Sequence, residues 1–173
     1  MTQPRLATAR LVLRPRRLGD TEACLAMDRA PEVTRFIDGP WGEPAGHRAF
    51  IEARTRGPWA AGLGYWVVEE AGCFLGWVLL IPEDGTGPEI EIGWRLRRAA
   101  WGRGIATEAA RALLPHAFVT LDLPRMVAGI DPANRASLGV ARKLGMRPGE
   151  RAGRYIRHIL QRDDWIASQG GTP

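Results

Sequence analysis

The segment Trp101-Gly102-Arg103-Gly104-Ile105-Ala106-Thr107-Glu108-Ala109-Ala110 constrains this chain more than any other, because a glycine-rich turn runs straight into a helical pattern. Just upstream, Ile90, Ile92, Trp94 and Leu96 alternate with Glu89, Glu91, Gly93 and Arg95, the period of a half-buried strand. A strand that feeds such a turn leaves unpaired backbone N–H groups where the helix dipole is positive, and that combination holds anions. Glycine at 102 and 104 lets a diphosphate approach the main chain without meeting a Cβ. No Gly-Lys-Ser/Thr ending follows, which excludes the nucleotide-triphosphate P-loop. Thr107 stands where the third glycine of the dinucleotide fingerprint would be. The turn reads either as a site for another phosphorylated cofactor or as a plain strand-to-helix link.

A second segment narrows the choice: Asp131-Pro132-Ala133-Asn134-Arg135-Ala136-Ser137, continuing through Val140 and Lys143 to Leu144-Gly145-Met146. With it, the chain resembles the GNAT superfamily of acetyl-CoA-dependent N-acetyltransferases, in its RimJ/RimL-like branch. That family's pattern Gln/Arg-x-x-Gly-x-Gly/Ala, which wraps the coenzyme A pyrophosphate, is met by Gly104 and Ala106. Trp101 takes the first place of the pattern, as is ordinary for the branch. Asn134-x-x-Ser137 and Lys143-x-Gly145 match the second cofactor segment, and Thr8 to Pro15 resembles the opening strand. The hairpin Gly64 to Leu80 and the closing Ile156 to Trp165 also fit, so the likeness spans nearly the whole chain. It implies acetyl-CoA as cosubstrate, held by Trp101, Gly102, Arg103, Gly104, Ile105, Ala106, Thr107, Asn134 and Ser137. The backbone of Trp94, Arg95 and Leu96 would pair with pantetheine as one added strand.

Composition sets limits. At 173 residues and 45% hydrophobic, the chain suits one compact domain, residues 1–167, with a loose tail at 168–173. No run approaches eighteen apolar residues and Met1 to Leu6 has no apolar signal core, so no membrane partner and a cytoplasmic location are expected. Cys24 and Cys73 have neither metal nor redox spacing and are expected in the core, reduced; the three histidines form no pair, so no metal is expected. The net charge of +5 raises the question of nucleic acid, but 23 of 24 basic residues are arginines scattered among 19 acids. No binding stripe results, so nucleic acid is not the expected ligand. Arg97, Arg98 and Arg103 flank the turn and serve either as phosphate attractors or as solvated surface charge.

A pass along the chain predicts a strand at Leu11 to Arg14 and helices at Thr21 to Arg29, with Asp20 as N-cap, and at Glu43 to Arg56. Strands follow at Tyr65 to Glu70 and Cys73 to Ile81, turning at Ala71-Gly72, and at Glu89 to Leu96. The helix from Gly104 to Thr120 should kink or end at Pro115. A strand at Met126 to Ile130, a helix at Asn134 to Leu144 with Gly145 as its left-handed stop, and strands at Met146 to Glu150 and Tyr155 to Leu160 complete the set. This order predicts an α/β fold with helices on both faces of a sheet. The resemblance adds that the sheet is mostly antiparallel, curved, and splayed in a V between the fourth and fifth strands.

The chemistry implied is direct attack of a neutral amine on a thioester. At pH 7 an α-amine with pKa near 8 is roughly 10% neutral, whereas a lysine near 10.4 is about 0.04% neutral, so the acceptor decides how much a base must do. Glu91 is the candidate base, or else a half-exposed strand carboxylate paired with an arginine. Ser137 would steady the leaving sulfur, or only cap its helix, or both. His158, seven residues before Trp165 where relatives carry a tyrosine, is the candidate general acid or a structural histidine. Tyr155, three positions away, should point to the opposite sheet face. Trp41, Trp59, Trp66, Trp77 and Trp94 are core or cleft-wall residues, with His47 and Phe50 on the helix that covers the acceptor side in relatives. The resemblance favours a protein N-terminal amine as acceptor. A small amine (an antibiotic, amino-sugar or polyamine) and a non-catalytic acyl-CoA-binding domain are the alternatives. Relatives are often dimers, so the resemblance leaves room for a homodimer, and the sequence itself does not decide the oligomeric state.

Overall fold

Continuous apolar runs at Tyr65-Trp66-Val67-Val68 and Trp77-Val78-Leu79-Leu80-Ile81, buried on both faces, and the alternating segment 90–96 make the centre of an eight-stranded sheet. The computed structural model describes residues 2–170. Its strands are β1 (Leu6–Ala7), β2 (Leu11–Pro15), β3 (Gly64–Glu70), β4 (Cys73–Pro82), β5 (Ile90–Leu96), β6 (Arg125–Ile130), β7 (Arg147–Ala152) and β8 (Tyr155–Gln161). They stand in the order β1-β2-β3-β4-β5-β6-β8-β7. Every neighbouring pair is antiparallel except β5 and β6, which run parallel and share a single register pair, Glu91 with Val127. Beyond Glu91 the two strands part, and residues 92–96 of β5 keep a partner only on the β4 side. This is the expected V. It falls between the fifth and sixth strands in chain order because the short β1 precedes the strand counted first in the sequence.

The helices are α1 (Thr21–Asp28), α2 (Pro31–Thr34), α3 (Pro44–Arg56), α4 (Ile105–Pro115), α5 (Arg135–Leu144) and α6 (Arg162–Gln169). The pleat divides the core in two. On one face Trp66 and Val68 of β3, Val78 and Leu80 of β4 and Ile92 of β5 pack against Ile105, Ala109, Ala110 and Leu113 of α4. On the other, Tyr65, Trp77, Leu79 and Ile81 meet Cys24 and Leu25 of α1, Val33 of α2 and Ile51 of α3. One wall of the V therefore carries α4 on its back, while the other face is roofed by α1 to α3.

Several local expectations are met for the reasons that motivated them. α5 begins at Asn134, whose side chain accepts the Ser137 N–H at 3.1 Å, and ends at Gly145 with φ 84°. Pro115 ends the α-helical turn pattern, and the chain widens into a π-helical turn at His116–Thr120, closed by Leu121 N–H to His116 C=O at 2.9 Å.

Other expectations are corrected. Asp20 stands at the N-cap position of α1, as expected, but its side chain makes no capping bond there: a 3₁₀ turn, Leu18–Asp20, leads straight into the helix, and the Asp20 carboxylate accepts from the Arg17 N–H and the Arg14 guanidinium instead. Cys73 is exposed, because it opens β4 at the hairpin end, whereas Cys24 is buried. α6 extends through Ser168 and Gln169, the start of the expected tail; residues 171–173 lie outside the described residues. No helix among the described residues is long and apolar enough to cross a membrane, and no group of three potential metal ligands occurs among them.

Candidate active site

The glycine turn sits at the open end of the V. Trp101 leaves β5 through a short 3₁₀ turn, and its indole N–H donates to the Leu96 carbonyl at 2.9 Å, which pins the turn to the end of the strand. Gly102 and Gly104 have φ of 73° and 76°, a region L-residues rarely occupy, and a Cβ built at either meets nothing within 4 Å. Gly104 is the N-cap of α4, and no side chain caps that end. Residues 101–104 are exposed, whereas Ile105 and Thr107 bury their side chains. What this turn offers outward is backbone N–H and empty space, which suits a diphosphate. Of the flanking arginines, Arg98 pairs with Glu32 at 2.9 Å and Arg103 with Glu70 at 2.6 Å, while Arg97 has no carboxylate partner among the described residues. These contacts make Arg98 and Arg103 surface ion pairs first.

Within the V lies a cleft of about 570 Å³, lined by β5 from Glu91 to Arg95, by β6, and by the start of α5. Trp94, Asn134 and Ser137 meet here: the Trp94 indole donates to Ser137 Oγ at 3.3 Å, and Ser137 N–H caps on Asn134. Ser137 Oγ thereby accepts one bond and keeps its own proton to donate. Arg95 and Leu96 turn their side chains into the two cores, so any contact they make with a ligand in the V uses main chain.

On the roofed face, Glu91 has no ion pair and no side-chain hydrogen bond among the described residues. Burial, reinforced by the nearby charges of Asp84 and Glu83, pushes its carboxyl up to about 7, with Arg54 opposing. The arginine-paired alternative for Glu91 is thus not what the structure contains.

His158 is not brought to this site. It is buried, its Nδ1 lies 3.0 Å from the Ile156 carbonyl of its own strand, and the cleft lining passes it by. Tyr155 and Arg157, on the opposite parity of β8, line the cleft instead. The Tyr155 hydroxyl donates to Asp38 Oδ2 at 3.1 Å and accepts from the Asp38 N–H at 3.3 Å.

Asp28 and Arg16, which the sequence did not single out, complete the floor. Asp28 ends α1 and is almost wholly buried; its Oδ2 holds Arg95 at 2.9 Å and His47 Nε2 at 3.1 Å. The Arg95 guanidinium lies between the rings of Trp41 and Trp77, 4.8 Å from each. Arg16, just past β2, lies over the Tyr65 ring at 3.7 Å. One signal could have marked Asp28: an acid four residues after Cys24 and three after Leu25, on the apolar stripe of its helix.

With this geometry in place, comparison with known proteins is direct. Residues 10–147 match the model of the acetyltransferase (GNAT) domain family. An FsC-acetyl coenzyme A-N(2)-transacetylase of Aspergillus fumigatus is 29% identical over 194 aligned positions, covering 96% of this chain and 80% of that protein. YkkB of Bacillus subtilis is 37% identical over 102 residues, 57% of this chain and 59% of that protein. The crystal structure of an acetyltransferase from Agrobacterium tumefaciens, 30% identical, superposes with a TM-score of 0.77 over 93% of this chain and 96% of its own. The chain belongs to the GNAT acetyltransferase family and is an acyltransferase of the kind that uses acetyl-CoA.

Proposed function

We propose that this acetyltransferase acts on a primary α-amine by direct attack on the thioester, with Glu91 taking the amine proton, directly or through one water. The observation that carries the reading is an ion-pair-free carboxylate at the floor of the cleft, where a base of pKa about 7 is half ionised at neutral pH. The uncapped N-terminus of α4 with Gly102 and Gly104 fits the diphosphate, and the unpartnered edge of β5 at 92–96 fits an extended chain such as pantetheine. When bound, acetyl-CoA supplies the activated acetyl group. Backbone N–H groups on that edge would stabilise negative charge on the thioester oxygen, and Ser137 Oγ–H would donate to the departing sulfur.

The cleft supports a small acceptor. Its volume must also admit pantetheine, and α1 to α3 pack over the sheet face that carries Glu91. The RimJ/RimL-like motifs support the other reading, a protein N-terminal amine. A thiol-release screen separates them, with free α-amino compounds, polyamines, aminoglycosides and peptides of varied N-termini presented with acetyl-CoA. Release with small α-amines is expected; release confined to peptides would transfer the assignment, and none with any amine would leave a binding-only domain.

A further inference from the structure

The floor of the acceptor side carries a buried cation with no ion-pair partner among the described residues. Arg16, Arg95 and Asp28 sit together, all buried, each at 8% exposure or less. Asp28 spends its Oδ2 on Arg95 and His47. Arg16 has no carboxylate within 4 Å among the described residues. Its one side-chain hydrogen bond runs from Nη2 to the Ile51 carbonyl at a long 3.5 Å, and its Nε is buried without a partner. Stacking on Tyr65 satisfies the guanidinium face but leaves most of its in-plane N–H groups, Nε among them, without a partner. A buried cation without a counter-ion is costly, and burial pulls its pKa down. Such a group is retained most simply where a ligand supplies the missing charge. Arg16 lines the same cleft as Glu91, and Tyr65, whose ring it covers, lies in the field of both. Across the cleft, Glu91 and Asp84 are the carboxylates without ion pairs, a natural seat for an ammonium.

We infer that Arg16 anchors a carboxylate of the acceptor, so that this site takes an amine carrying its own acid group, as a free α-amino acid does. The inference rests on the proposed acetyl transfer and names its substrate class. One uncompensated guanidinium matches a monoanion, and its planar N–H edge matches a carboxylate. The amine end then lies toward Glu91. A free carboxylate also makes the neighbouring amine more basic, which gives Glu91 more to do.

The test compares free L-amino acids with their amides and with the matching aminophosphonates. The wild-type protein is expected to favour acid over amide by about 100-fold in kcat/KM, against the intrinsic reactivity of the amines. Arg16→Met should erase that acid-over-amide preference mainly through the KM of the acid, and Arg16→Lys should keep its direction. Equal use of acid and amide by the wild type overturns the inference, as does equal slowing of both by Arg16→Met. If Arg16→Met does not fold, the wild-type and Arg16→Lys comparisons decide. If no amine is turned over, acetyl transfer to these amines fails by itself. Calorimetry in the presence of coenzyme A then judges the anchor: acids binding no tighter than amides overturn it. A phosphonate bound tighter than the carboxylate overturns the carboxylate assignment.

Discussion

Gly104→Asp is expected to weaken acetyl-CoA binding by at least about 100-fold in calorimetry, close to 3 kcal/mol, while leaving the fold intact. Both halves follow from the backbone. At φ 76° and ψ 2°, Gly104 occupies the left-handed region, which aspartate enters at a cost of about 1–2 kcal/mol, and the new Cβ meets no protein atom within 4 Å. The space that keeps the substitution from clashing is the space where the diphosphate should lie. A carboxylate there repels it and competes for the same N–H groups. Gly104→Ala separates the effects, since it adds the Cβ without the charge. Unchanged affinity in Gly104→Asp, with an intact melting transition, would contradict the assigned site.

Glu91→Gln should lower kcat/KM by about 100- to 1,000-fold above pH 7, with the gap closing as pH falls. The direction comes from the carboxyl being raised to about 7: below that pH the parent's base is itself protonated and loses its advantage. The same shift predicts a change in stability with the opposite benefit. A carboxyl raised from 4.5 to about 7 favours the folded state fully below 4.5, and that contribution is lost as pH rises through 7. Glutamine, never charged, avoids the loss. Glu91→Gln is therefore expected to be more stable than the parent at pH 8, by about 1–2 kcal/mol after allowing for partial exposure, and indistinguishable at pH 4. A pH–rate profile parallel to the parent's would remove Glu91 as the base.

Much of this was legible because it is local. The strand-turn-helix around Gly104, the Asn134 cap and the Gly145 stop depend on neighbours within five residues, and all three stand as read. Even the opposite parity of Tyr155 and His158 was legible, since it follows from the pleat. Which parity faces the cleft was not, because it depends on β8 pairing with β6 from Arg125↔Gln161 to Ile130↔Ile156 rather than on β8 itself. The Asp28, His47 and Arg95 cluster was hidden for the same reason: its members lie 19 and 67 residues apart and meet only when α1 and α3 settle over β5. Arg16 looked like one arginine among many; its burial without a carboxylate partner among the described residues distinguishes it.

The central claim is that main-chain donors of the Trp101 to Thr107 turn hold the diphosphate of acetyl-CoA. A crystal structure of the chain grown with coenzyme A tests it most directly. Diphosphate oxygens within hydrogen-bond distance of the 102–107 amides, with pantetheine running along the free edge of β5, are the expected result. Diphosphate density elsewhere on the protein, with this turn bare, would contradict it.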